Sequence, residues 1–202
     1  MKFPIFASFI ILCVVLMRAI RKQDQKEVND SKSFWARELE ANNVRRKSLD
    51  NLEYITIPLE ELPTNLLTDD DNIQDYISTV EGLSQRTIVN LTGYTNTDLK
   101  LEYGTANITL LSEYDQNYTF LVSTLHKWAD ALYSKGYQKE AVSIMEFALS
   151  TRTDTSRTYY LLAEYYQNQQ QPEKIQHLVE VAEGLNSFHK KTIVRTLQES
   201  YL

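Results

Sequence analysis

The chain has 202 residues, 43% of them hydrophobic and 24% charged, which suits one packed domain with an appendage and excludes a disordered or fibrous protein. Its 27 acidic side chains outnumber its 21 basic ones, giving a formal charge of −6; non-specific nucleic-acid binding needs clustered Lys and Arg, so no nucleic-acid partner is expected. The single cysteine, Cys13, excludes an intramolecular disulfide and a cysteine-based zinc site, and packing must hold the fold together.

Phe3 to Met17 carries no charge and is followed by Arg18, Arg21, Lys22 and Lys26. Such a run rises roughly 22 Å as a helix, short of a hydrocarbon core of about 30 Å, but Ala19 and Ile20 extend it if Arg18 snorkels. A cleaved signal peptide would need a small-x-small site soon after the apolar run, and Leu16 to Gln23 has none. Ile10, Ile11 and Leu12 before Cys13 likewise lack the small residues of a lipoprotein processing site. Residues 1–22 are therefore expected to be an uncleaved transmembrane anchor, crossing the membrane through residues 3–20. Four cations on its C-terminal flank outweigh Lys2 and the terminal amine, which places the soluble domain in the cytoplasm. Residues 23–30, nearly all polar, read as a juxtamembrane linker.

Residues 31–121 read as a helical and irregular N-terminal part of the soluble domain. Ser31 or Ser33 can cap a helix whose loose apolar stripe is Phe34, Trp35, Leu39 and Ala41. Arg45, Arg46 and Lys47 suit the end of that helix, or could meet anionic lipid headgroups. Tyr54 to Pro63 alternates β-branched residues and then carries Pro58 and Pro63, which predicts an extended segment laid across the domain. Asp69, Asp70 and Asp71 look like the acidic start of a helix; the turn glycine and distal glutamate of a calcium loop are missing. Between Asn90 and Tyr118, Gly93, Asn96 and Gly104 leave room for one short helix near Thr97 to Tyr103, closed by Gly104. Asn90, Asn107 and Asn117 each begin an Asn-x-Thr triplet, read here as a consequence of composition.

Residues 122–202 are organised by repetition. With Val122 as position one, Leu125, Trp128, Ala129, Leu132, Gly136, Ala141, Met145 and Ala148 take places four, seven, eight, eleven, fifteen, twenty, twenty-four and twenty-seven of a 34-residue unit. A second unit starting at Ser156 puts Tyr159, Leu162, Ala163, Tyr166, Val179 and Ala182 at corresponding places. Small residues at Ala129, Ala141 and Ala148 let two helices approach, and Gly136 marks the corner between them. Pro172 suits the first turn of the second unit's second helix, and the last residues read as a capping helix. This spacing resembles the tetratricopeptide repeat, although Ile175 replaces the small residue expected at place twenty. The expectation is an all-α chain: a transmembrane helix, then a helical domain ending in two tetratricopeptide-like hairpins and a cap.

The resemblance implies a scaffold that offers a concave groove, lined by the first helix of each unit, to a protein or peptide partner. By position that groove would present Ser123, His126, Asp130, Tyr133, Arg157, Tyr160, Glu164, Gln167 and Asn168. Asp130 and Glu164 would repel a carboxylate while Tyr133 and Tyr160 offer flat contact area, so the expected ligand is a basic or aromatic peptide. The competing reading is an ordinary solvated helix face. A structural subunit of a membrane-associated assembly is a further alternative, given 13 tyrosines. An enzyme is not expected: His126, His177 and His189 lack metal-ligand spacing, and no nucleophile elbow, phosphate loop or cofactor motif appears. Any catalytic acid would have to come from Asp98, Glu113 or Asp115.

Overall fold

The computed structural model describes residues 15–18, 20, 23 and 30–202. Among them the regular structure is all helical, with no strand. Residues 30–42 are helical, and seven α-helices follow among the described residues: α1 Asp71–Ser84, α2 Asn96–Tyr103, α3 Ile108–Ser134, α4 Gln138–Ser150, α5 Ser156–Asn168, α6 Pro172–Glu183 and α7 Lys190–Ser200. Most of the expected anchor and linker lies outside the described residues, and no helix within them is long and apolar enough to cross a membrane. The chain divides into two compact units, Met1–Lys47 with Thr95–Ile108, and Ser48–Tyr94 with Thr109–Leu202.

The larger unit is built on one apolar cluster. In α1, Asp70 caps the helix by accepting from the Ile73 amide at 3.2 Å, and Ile73, Ile77, Val80 and Leu83 fall on one face at helical spacing. Asp70 also pairs with Lys135 at 2.8 Å. The segment after Tyr54 is extended and irregular: Ile57 and Leu62 drop into the cluster, the Ile55 amide donates to Ile88, and Tyr54 bridges Val89. The hairpin helices contribute Trp128, Ala129, Leu132, Ala141, Ile144, Met145, Tyr159, Leu162 and Ala163 at no more than 1% exposure, a packing that leaves no slack for added volume.

One expectation for residues 90–118 needs correction. The short helix is present as α2, capped by Thr95 and closed by Gly104, but the chain is helical again from Ile108 without a break to Ser134. Leu111, Tyr118, Leu121 and Val122 extend backwards the same apolar stripe that Leu125, Trp128 and Leu132 carry forwards. Interleaved Asn, Thr and Glu residues hide that stripe in the sequence. Position one of the first unit, Val122, therefore lies inside a helix of 27 residues.

Helix boundaries recur at a fixed interval. The C-terminal ends of α3 and α5 (134 and 168), the starts of α4 and α6 (138 and 172) and the starts of α5 and α7 (156 and 190) are each 34 residues apart. The way the first helices stop also recurs. After α3, the Gly136 amide donates to Tyr133 and the Tyr137 amide to Leu132; after α5, Gln170 donates to Gln167 and Gln171 to Tyr166. Both are Schellman stops, which need a left-handed residue: Gly136 has φ 90° and Gln170 φ 56°. A Cβ on Gly136 would meet nothing within 4 Å, so this glycine serves the backbone turn and not a close helix crossing, contrary to the reading of a tight glycine corner.

The smaller unit is fastened differently. Its buried apolar side chains, among the described residues, are Ala41 and Leu99. The helical stretch 30–42 is held against α2 by polar bonds: Glu38 accepts from Lys100 and from the Thr97 hydroxyl, Arg37 pairs with Asp98, and Lys100 donates to Asn42. Asn107, fully buried, donates to the Lys47 and Tyr103 carbonyls at 2.8 Å and accepts from Arg46.

Gln170→Gly should stabilise the larger unit by about 1 kcal/mol, and Gly136→Ala should weaken it by a similar amount, because a side chain disfavours the left-handed backbone; urea midpoints of the two variants test this. The smaller unit should loosen in acid. Lys100 and Thr97 hold the Glu38 carboxyl below its ordinary range, and Thr95 and Arg37 do the same for Asp98. For depressed carboxyls the stabilisation is present above the unfolded pKa, about 4, and is lost as pH falls through the lower folded values. Hydrogen exchange should therefore show residues 30–47 and 95–108 opening below about pH 4 before the core of the larger unit.

Candidate functional site

The residues proposed for a groove occupy matching stripes on α3 and α5. Ser123, His126, Asp130 and Tyr133 stand three and four residues apart on α3, on the side away from Trp128 and Leu132; Arg157, Tyr160, Glu164, Gln167 and Asn168 do the same on α5. Ser123, Arg157, Glu164, Gln167 and Asn168 are exposed, and His126, Asp130, Tyr133 and Tyr160 are half-buried. The two stripes lie side by side, because Arg157 reaches from α5 to Asp130 on α3 at 3.4 Å.

That contact changes the electrostatics expected of the site. Asp130 is compensated, with Arg157 on one oxygen and His126 Nε2 3.6 Å from the other. It is therefore not the free carboxylate that would repel an acidic ligand. His126 Nδ1 is buried without a hydrogen-bond partner. Glu164, in contrast, has no ion-pair partner among the described residues.

Around Glu164 the structure gathers tyrosines. Burial raises the pKa of the Tyr133 hydroxyl, and the Glu164 carboxylate and Tyr165 push it the same way. Tyr201 is raised first by burial and then by Glu164 and Tyr160. All of these rings pack partly buried against the core cluster, so their positions are held by packing. Tyr201 was not among the expected site residues. A signal for it exists: Tyr133, Gln167 and Tyr201 are successive steps of the same 34-residue interval. Carrying that step onto α7 also brings in Lys191, Val194 and Gln198, which line a cleft of about 430 Å³ together with Glu183, Lys190 and Arg195. The groove thus has a third wall.

A second cleft of about 300 Å³ lies between α4, α5 and α6. Its polar groups satisfy one another: Tyr166 donates to Glu146 at 2.6 Å, and Lys174 pairs with Glu146 at 3.4 Å while sitting over the Tyr166 ring. Little recognition chemistry is left over there.

The acids considered for catalysis have structural work. Asp98 closes a capping box with Thr95 at the start of α2. Asp115, half-buried and raised in pKa by that burial, accepts from the Leu91 amide. Glu113 is exposed. No group of His, Cys, Asp and Glu among the described residues could hold a metal ion. The triplet asparagines are structural as well: Asn90 donates to the Thr151 carbonyl and the Tyr118 hydroxyl, Asn107 to Lys47 and Tyr103, and Asn117 to Thr87. Tyr118 in turn bonds to Thr151 and Tyr159 to Thr153, which fixes the turn between α4 and α5; burial pushes the Tyr118 hydroxyl up to about 12. Gly93, at φ 89°, lies so close to the Asn186 carbonyl that a Cβ would stand 2.1 Å from it, which docks the loop after Asn90 against the α6–α7 connection.

Comparisons with protein-family models, with curated proteins and with solved structures returned no match.

If Glu164 lies among the tyrosines, Glu164→Gln should move the alkaline titration of Tyr133 and Tyr201 down towards the ordinary tyrosine value. Ultraviolet titration of the variant, with Tyr133→Phe and Tyr201→Phe to assign the rings, checks this; unchanged midpoints would mean that the carboxylate points away.

Proposed function

We propose that this chain is a membrane-anchored, tetratricopeptide-like scaffold, not an enzyme, that holds a segment of a partner protein in the groove of α3, α5 and α7. The observation that carries the reading is the Glu164 carboxylate, exposed, without a cation of its own and beside Tyr133, Tyr160 and Tyr201. A Lys or Arg side chain meets both attractions there, a charge and the faces of aromatic rings, and an aromatic side chain meets the second. The recurrence of helix ends and Schellman stops every 34 residues supports the likeness to tetratricopeptide hairpins, with α7 as a cap that also contributes a groove wall. The apolar run from residue 3 to residue 20 supports the anchor, and its basic flank supports a cytoplasmic location for the domain.

Phe120 and Phe188, both exposed on the larger unit, favour a second reading in which the protein is a structural subunit of a membrane-associated assembly. The two readings separate on the groove. A peptide array probed with the full chain should enrich Lys-, Arg- and aromatic-containing segments, and both Tyr160→Ala and Glu164→Lys should lose that enrichment at least ~10-fold, as expected where a central contact worth about 1.4 kcal/mol or more is removed. Binding that is indifferent to both variants would leave the solvated-face reading standing.

A further inference from the structure

The helical stretch 30–42 is polar where it is covered and apolar where it is bare. At about 100° per residue, Arg37, Glu38, Ala41 and Asn42 share one face, and that face is fastened to α2 and the turn after it. The side chain of Glu38 is 19% exposed, whereas Phe34, Trp35 and Leu39 are 54%, 60% and 64% exposed. Trp35 and Leu39 are four residues apart on one flank of the helix, and Phe34 packs edge-on against Trp35 with ring centroids 5.6 Å apart. A helix in water ordinarily arranges these residues the other way round. Leaving three large apolar side chains bare while shielding a carboxylate is unfavourable unless something apolar covers them.

The sequence indicates what that is. The patch begins 17 residues after Met17, where the uncharged run from Phe3 ends. Phe, Trp and Leu beside lysine are the residue types that settle at the boundary between headgroups and acyl chains, and Lys32 is exposed on the same helix. We propose that Phe34, Trp35 and Leu39 form a membrane-interface contact, laying the helical stretch 30–42 on the bilayer with its Glu38 face turned to α2. This rests on the reading of residues 3–20 as an anchor and adds to it: the smaller unit rides on the lipid surface instead of hanging from a free tether. Anchored by two elements, it stays at the membrane in one orientation.

Tryptophan fluorescence can test this in the intact chain. The sequence has two tryptophans; Trp128 is fully buried, so Trp35 is the one open to quenchers, and Trp35→Phe supplies the Trp128 background to subtract. The full-length protein is reconstituted into phosphatidylcholine vesicles whose acyl chains are brominated near the carbonyl end, and association is scored by flotation. The expected result is flotation, loss of most Trp35 emission to the brominated lipid, and protection of Trp35 from aqueous acrylamide. Phe34→Ser with Leu39→Ser should keep flotation and restore acrylamide access, since neither change touches the bonded face. Flotation with Trp35 open to acrylamide and unquenched by lipid overturns the interface contact and leaves the anchor intact. Protection from acrylamide without lipid quenching means that protein covers the patch, which also overturns it. Absence from the vesicle fraction removes the anchor reading and this inference together.

Discussion

The larger unit depends on stopping a long helix at the right residue. The apolar stripe of α3 runs over several turns and has to be covered from one side by α4 and α5. That happens because the chain turns back at Gly136, where a left-handed residue lets two amides close onto the carbonyls of Tyr133 and Leu132. The same stop follows α5 at Gln170. Repeating one turn geometry at one interval repeats the packing as well, so Trp128 and Leu162, or Ala129 and Ala163, meet equivalent surroundings and all four are fully buried. A functional groove is a by-product of that arrangement: residues that face away from the packed stripe line up from α3 to α5 to α7.

The two units are held by different forces. In the larger one, apolar burial dominates and polar bonds fix particular turns, such as Tyr118 and Tyr159 on the Thr151–Thr153 backbone. In the smaller one the apolar contribution is slight, and Glu38, Asp98, Lys100 and Asn107 supply the bonds. Bonds of that kind give orientation more than stability, because each exchanges protein–water for protein–protein contacts. Such a unit suits a place beside a surface that completes it.

For the groove, the central electrostatic fact is an asymmetry between two carboxylates at equivalent positions. Asp130 and Glu164 are one repeat apart, yet Asp130 is compensated by Arg157 and His126 while Glu164 is left among tyrosines. Recognition chemistry is thereby concentrated at the α5–α7 end. The engaged polar groups of the second cleft, Tyr166, Glu146 and Lys174, make the contrast sharper.

The sequence by itself determined the helical class, the 34-residue interval, the acidic start of α1, the short helix closed by Gly104 and the place of Pro172, since each is a local consequence of periodicity or of a backbone preference within a few residues. It did not reveal the beginning of α3, because polar residues interleaved on the solvent side dilute an apolar stripe that becomes evident only when the buried face is known. Nor could it show that Gln170 would do the work of a glycine, that Arg157 would neutralise Asp130, or that Tyr201 would close the site. Those depend on which helices end side by side, and side chains distant in sequence acquire their charge partners only through that placement. The reversed polarity of residues 30–42 has the same origin: Phe34, Trp35, Leu39 and Ala41 read as a stripe to be buried, but the bonds of Arg37 and Glu38 to α2 decided which face turned inward.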